Sequence, residues 1–520
     1  MIYNWDRITP STNVSWAPCF NNFTCTRLQV PLDYGDVSLG STAIAFIKYP
    51  AKNITKDTQN IVINPGGPGG PGADPSLISS LTQITGPQHN IIGFDPRGVG
   101  HSGPTVDCWP GHPEKRAQFE KLLYPETSNA SSTALQRQFY SAELFGEACT
   151  PVVGGSRGNA SFISTPAVAE DLFTYIKAEQ VVAGKPKEDA KLAYYGASYG
   201  TVLGATFAHR FPDHVGRMIL DGVVDPADYY ELGWKENLHD TDKSLNSFVQ
   251  NCYQGGPKNC SFWGPSVRDI TSRFDAILAD LKENPKPVLS SAACDLPLLA
   301  TYSDLKQLAL QALYIPVTYF PQLADVLSGL ERGNATAYMN AVAGWSIPAN
   351  PCNNGTAGST VDVNTLIRCV DGIGSHKFTN LSQYRDYVET LTKQSRYFGE
   401  VWPTNALGVA CRSLDVEPPK SARLEESILL RRNTSFPILF VTQKIDPVAP
   451  SRNAHKMSKV FSGSVVLTQD SVGHTAIVSA SECLTENIQA YFSGQLPSAN
   501  TTCQSDMVPF QVSSGVSISW

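Results

Sequence analysis

Through the first 220 residues, short apolar runs alternate with stretches of helical period. Strands are predicted at 26–31, 42–48, 61–64, 90–94, 191–195 and 217–220, and two more come late, at 437–441 and 464–468. Helices are predicted over 166–180, 200–210 and 482–493. Strand and helix in alternation imply β-α-β units around a mostly parallel sheet.

Between the two strand-rich zones, from about Asp228 to about Pro403, the alternation stops and helical periodicity dominates. This stretch is rich in Tyr and Trp and holds five of the twelve cysteines. It reads as a lid inserted before the last strands of the sheet. The expected partition is a core in two parts, 1–227 and 404–503, a lid at 228–403, and a Ser-rich tail at 504–520 that is expected to be peripheral. There is no internal repeat.

Composition narrows the function. With 520 residues, 42% of them hydrophobic, the chain can bury a large core. Charged residues are 17% and the formal net charge is -7, which offers nothing to nucleic acid or an anionic membrane surface. No stretch has the apolar length a membrane-spanning helix needs. The expected binding partner is a peptide or small-molecule substrate, with no nucleic acid, no membrane and no obligate protein partner.

The twelve cysteines are an even number and contain no C-x-x-C pair, so they predict up to six disulfides rather than a zinc or redox site. Close pairs expected to bond are Cys19 with Cys25, Cys252 with Cys260, and Cys483 with Cys503. Acceptor sequons for N-glycosylation stand at Asn13, Asn22, Asn53, Asn129, Asn159, Asn259, Asn334, Asn354, Asn380, Asn433 and Asn500. Composition alone would give about four or five such sites, and the excess points to a glycosylated, secreted protein. The stretch from Met1 to Trp5 lacks the basic and apolar regions of a leader, so the expectation is that a signal peptide has been removed.

The strongest chemical signal is Tyr194-Tyr-Gly-Ala-Ser-Tyr-Gly200, a G-x-S-x-G between a predicted strand and a predicted helix. A serine hydroxyl is a weak nucleophile. It must project from a tight turn where a base can reach it and a helix N-terminus can stabilise negative charge. A second glycine run, Asn64-Pro-Gly-Gly-Pro-Gly-Gly-Pro-Gly72, follows the strand at 61–64, and no G-K-[ST] makes it a phosphate loop. Such a run supplies an oxyanion-hole N–H; Gly67 is the expected donor, with Gly66 the alternative, and Tyr199 N–H is the second.

The spacing Gly98, Gly100, Gly103 imitates a dinucleotide fingerprint, but Pro104 follows and no helix opens there. Arg97 and His101 beside it are expected to be structural. A base and an orienting acid must follow the serine in the order Ser, Asp, His. His474, in a Gly-containing loop after a late strand, is preferred to His455, which lies on an amphipathic helix. Asp446, directly after the strand at 437–441, is preferred to Asp470, only four residues from His474. No metal or organic cofactor is expected.

Together these pieces resemble the secreted tripeptidyl and prolyl aminopeptidases of the α/β-hydrolase fold, with a tripeptidyl-aminopeptidase-type C-terminal region. The resemblance runs through Cys25 to Tyr34, Asn64 to Gly72, Gly93 to Ser102, Gly196 to Gly200, Leu220 to Pro226, Ile445 to Pro447 and Gly473-His474, in the family's order. Where the family usually has His at the head of the glycine run, Pro65 stands here. The resemblance implies an α/β-hydrolase fold with a mainly helical lid, and a serine exopeptidase in which lid carboxylates hold the substrate's amino group. Asp228, Glu231, Glu236, Asp240 and Asp242 are available for that. An esterase or lactonase acting on a small apolar substrate is the alternative. The aromatic residues Tyr229, Tyr230, Trp234, Trp263, Tyr302, Tyr314, Tyr319 and Phe320 either line the pocket or pack the lid.

Overall fold

The computed structural model describes residues 1–520 apart from 56–57, 124–125, 156, 289–297, 346–359, 373–376, 407 and 512–520. In chain order the strands are β1 (Ala17–Cys19), β2 (Phe23–Pro31), β3 (Ser41–Tyr49), β4 (Asn60–Asn64), β5 (Asn90–Phe94), β6 (Leu192–Ala197) and β7 (Val215–Asp221). They continue with β8 (Lys286–Val288), β9 (Leu298–Ala300), β10 (Leu439–Ile445), β11 (Val465–Val472) and β12 (Thr502–Gln504). Ten of them form one sheet, ordered β1-β2-β3-β5-β4-β6-β7-β10-β11-β12. β1, β2 and β3 run antiparallel to their neighbours, and every pairing from β5 to β12 is parallel.

Helices cover both faces, so the central strands are apolar throughout: β6 is buried at all six positions. One face carries helices Thr165–Val182 and Tyr199–Arg210, the other Pro75–Thr85 and Glu482–Phe492. The helix Thr165–Val182 starts where the Ser164 side chain accepts the Ala167 N–H and Pro166 occupies the first turn. The helix Tyr199–Arg210 lies flush on the sheet because it is small there. A Cβ at Gly204 would stand 2.4 Å from a Leu220 methyl carbon.

The described chain from β7 to Arg412 is mainly helical and carries the short pair β8–β9, and residues 413–438 run on to β10 with a single 3-10 turn, Lys420–Ala422. Its apolar interior also takes Phe139, Phe145 and Cys149 from the helix Ala134–Val153, which precedes β6. The tail expectation needs correction at its start: Phe510 is buried against Phe248 and Phe320, because an aromatic ring in that position has apolar surface to cover.

The three close cysteine pairs, Cys19–Cys25, Cys252–Cys260 and Cys483–Cys503, are bonded. Cys108–Cys149 and Cys369–Cys411 are bonded as well. Cys294, Cys352 and Asn354 lie outside the described residues.

Candidate active site

Parallel strands end on one edge of the sheet, and the chemistry predicted from the sequence gathers there. Ser198 occupies the turn between β6 and the helix Tyr199–Arg210, with φ 55° and ψ -123°. A non-glycine residue in that conformation is strained, and the surroundings hold it there. Glycine is required on both sides of it. A Cβ at Gly196 would meet Gly200 O at 2.4 Å, and one at Gly200 would meet Asn64 O at 2.6 Å. Ser198 is half-buried, and its N–H donates to Asp221 O at 2.9 Å.

His474 follows β11 and Asp446 follows β10. His474 Nδ1 lies 3.0 Å from Asp446 Oδ2 and 3.1 Å from Oδ1. Asp446 is buried, and backbone N–H groups surround its carboxylate: Val448 at 2.9 Å and Ala449 at 2.7 Å on Oδ1, Thr475 at 2.9 Å on Oδ2. These donors fix the carboxylate and leave it one direction in which to meet the imidazole. His474 is held from the other side, where its backbone N–H donates to Tyr314 O at 2.9 Å and its ring meets Tyr314 edge-on at 5.0 Å.

Asp221 joins the two halves, and the sequence reading missed it. Its carboxylate accepts Tyr195 Oη at 2.8 Å, Ala476 N–H at 2.7 Å and Ile477 N–H at 3.3 Å. Burial pushes this carboxyl up to about 6, partly offset by those donors. A polar residue ending an apolar strand within Leu220-Asp-Gly222 was the available signal.

The two expected oxyanion segments also meet. A Cβ at Gly66 would stand 2.9 Å from Ser198 Cβ and 3.2 Å from Tyr199 N. Gly66 N–H is taken by Asn64 Oδ1 at 3.0 Å, whereas Gly67 N–H has no acceptor among the described residues. Tyr199 N–H is the first of its helix and has no acceptor within it.

The rejected alternatives stand elsewhere. His455 is exposed on the helix Ser451–Met457, and Asp470 pairs with Lys444 at 2.9 Å. Arg97 is buried and bonds both oxygens of Asp171, at 2.7 and 2.8 Å. His101 stacks on Trp5 at 5.1 Å.

Two segments of the chain match family models: residues 59–273 match the alpha/beta hydrolase fold, and residues 395–503 match TAP-like protein. The chain has the α/β-hydrolase fold. It is similar to serine protease Hip1 of Mycobacterium tuberculosis, 26% identical over 507 residues that cover 94% of this chain and 91% of the relative. It is similar to a tripeptidyl aminopeptidase of Streptomyces lividans, 24% identical over 511 residues that cover 95% and 87%. It also matches carboxylesterase B of Mycobacterium tuberculosis, 23% identical over 493 residues that cover 92% and 86%. The α/β-hydrolase is a serine hydrolase.

Most of the acidic residues named above for the helical segment are engaged. Asp228 accepts N–H from Lys235 at 2.7 Å and Glu236 at 2.9 Å, and burial pushes it up to about 7. Glu236 bonds Arg452, Asp240 bonds Lys243 at 2.6 Å, and Asp242 accepts Arg396 N–H at 2.8 Å. Glu231 lines a surface cleft of about 370 Å³. Of the aromatic residues, Tyr229, Trp234 and Phe320 are buried, and Tyr314 is the one in contact with His474.

Proposed function

We propose that this α/β-hydrolase is a secreted serine exopeptidase that releases short N-terminal peptides or single residues through an acyl-enzyme on Ser198. The observation that carries the reading is the His474–Asp446 pair at the carboxyl ends of the adjacent parallel strands β11 and β10, tied through Asp221 to the Ser198 turn at the end of β6. Ser198 Oγ bonds to the scissile carbonyl carbon as its proton passes to His474 Nε2. The carbonyl oxygen becomes an oxyanion facing the N–H groups of Gly67 and Tyr199. His474 then returns the proton to the departing amine, and water repeats the sequence to free the acyl group. Asp446 holds the imidazolium at Nδ1.

A helical segment that shares its apolar core with the approach to the site favours chain ends over the middle of a folded protein. The tripeptidyl aminopeptidase relative agrees with that preference. Secretion is supported by five disulfides among the described residues and by the sequons. All ten described acceptor asparagines are exposed, against five of the fourteen other described asparagines. Endoglycosidase treatment of the natively produced protein tests this by its mass shift.

The alternative is an esterase, favoured by the engagement of four lid carboxylates elsewhere and by the carboxylesterase match. A chromogenic panel separates the two. An exopeptidase loses most activity when the substrate's amino terminus is acylated, and an esterase does not. A fluorophosphonate that labels Ser198→Ala as well as the natural chain would refute the serine assignment.

A further inference from the structure

Three residues on one face of the helix Thr360–Asp371 reach both segments that carry the oxyanion donors. Asn364, Arg368 and Asp371 are spaced i, i+4 and i+7, so they lie on the same side of the helix. Asn364 Nδ2 donates to Pro68 O at 2.6 Å, and Arg368 Nη2 donates to Gly67 O at 3.3 Å. The helix backbone itself lies against the glycine run: a Cβ at Gly69 would stand 3.3 Å from Asn364 N. Arg368 is anchored in turn. Its Nη1 donates to Asn405 O at 2.9 Å and Ala406 O at 2.8 Å, and its guanidinium lies 4.4 Å from the Trp234 ring centre.

At the helix end, Asp371 accepts Thr165 N–H and Tyr229 Oη, each at 2.7 Å. The Thr165 hydroxyl also bonds Asp371 and Tyr199 Oη. A hydroxyl carries one proton. If Thr165 donates it to the carboxylate, Thr165 accepts from Tyr199, and the residue after Ser198 is held through two bonds by the same helix. Cys369–Cys411 ties that helix to the turn Gly408–Arg412.

The glycine run needs such a restraint. Gly66, Gly67 and Gly69 all have positive φ, where glycine is at ease but its backbone has many alternatives. Bonds to the carbonyls of Gly67 and Pro68 remove those alternatives on the C-terminal side of the Gly67 N–H, whose own peptide plane is held by the Gly70 N–H on Gly66 O at 3.2 Å.

We propose that the helix Thr360–Asp371 is the positioning element of the oxyanion hole, with Asn364, Arg368 and Asp371 as positioning residues that act through Gly67 and Tyr199. The proposal rests on the reading of Ser198 as nucleophile with those two N–H donors. Its signature is kinetic. A misaimed donor weakens the transition state and leaves ground-state binding alone, so kcat falls while KM holds.

The test uses Asn364→Ala, Arg368→Met, Asp371→Ala and Asp371→Asn in the full chain, with active sites counted by fluorophosphonate labelling. The substrate is an activated p-nitrophenyl ester, and a trifluoromethyl ketone reports on the tetrahedral adduct. Complete loss of an oxyanion donor costs about 10²- to 10³-fold in kcat, so misaiming one is expected to cost about 10- to 100-fold, with KM within about twofold. Affinity for the ketone falls in parallel. Asp371→Asn keeps an oxygen for the hydroxyls of Thr165 and Tyr229 but turns its NH₂ toward the Thr165 N–H, so it restores only part of what Asp371→Ala loses.

Natural kcat per labelled site in Asn364→Ala and Arg368→Met overturns the proposal, as does a rise in KM alone. If Arg368→Met does not fold, Asn364→Ala decides, since Asn364 is only half-buried. Turnover surviving in Ser198→Ala overturns the underlying reading and the proposal with it. Turnover lost there, with natural kcat in the helix variants, overturns the proposal alone.

Discussion

The carbonyl of Asp221 accepts the Ser198 N–H at 2.9 Å, so the residue that closes β7 holds the turn of the proposed nucleophile. Its carboxylate holds the backbone just beyond His474, and Tyr195 Oη completes the set. One residue thus fixes the distance between a turn and a loop that are far apart in the chain.

Asp221→Ala is therefore expected to harm both stability and turnover. Three buried donors lose their acceptor, and each unsatisfied group costs about 1–3 kcal/mol before relaxation. Allowing for relaxation, a loss of about 2–4 kcal/mol is expected from thermal unfolding. The His474 loop loses its tether at the same time, and kcat should fall about 10- to 100-fold per labelled serine. Unchanged melting and unchanged kcat would contradict this role.

Asp446→Asn should be close to isosteric and yet severe. Val448, Ala449 and Thr475 already point N–H groups at this side chain. An amide must turn its NH₂ toward one of these donors or toward His474 Nδ1. The second choice reverses the imidazole tautomer and points the Nε2 proton at the nucleophile. A fall in kcat of about 10⁴-fold is expected. Pre-steady-state acylation by an activated ester measures it, and a loss under tenfold would remove Asp446 from the relay.

Gly66→Ala tests the close approach of the glycine run to the elbow. Its Cβ would stand 2.7 Å from Ala197 O and 2.9 Å from Ser198 Cβ, and φ is +105°. Neither neighbour is a flexible side-chain end, so the variant should lose more than about 2 kcal/mol together with fluorophosphonate labelling. Gly111→Ala is the control. With φ +75° and nothing within 4 Å, it carries backbone strain alone, about 1 kcal/mol, and should keep full labelling. Equal behaviour of the two variants would show that contact at the elbow does not matter.

These contrasts mark what local pattern can and cannot reveal. The Ser198 elbow is legible because strand, turn and helix are adjacent in the chain and glycine spacing records their crowding. The long parallel strands are legible because both faces are covered and the run stays apolar. β1 and β12 are not, since three residues carry no periodicity; each is tied at its edge by a disulfide, Cys19–Cys25 and Cys483–Cys503. Asp221 and Arg368 escape for another reason. They serve backbone atoms far along the chain, at Ala476 and Gly67 among others, and no spacing in the sequence encodes such a contact.

Asp228 gives a pH prediction whose sign follows from burial. Its carboxyl is pushed up to about 7, first by burial, while backbone N–H groups of Lys235 and Glu236 pull the other way and Asp225 and Glu236 raise it slightly. An unfolded aspartate titrates near 3.9. Between about pH 4 and pH 7 the folded chain therefore retains a proton that the unfolded chain releases, and stability from this group declines as pH rises. The loss is complete above pH 7 and amounts to at most about 4 kcal/mol from a shift of about three units. Asn at this position keeps an oxygen for both N–H donors and never ionises. Thermal unfolding of Asp228→Asn beside the natural chain should accordingly show little difference at pH 4 and a growing advantage for the variant up to pH 8. A difference that stays flat with pH, or that runs the other way, would mean that the buried carboxyl ionises at its ordinary value.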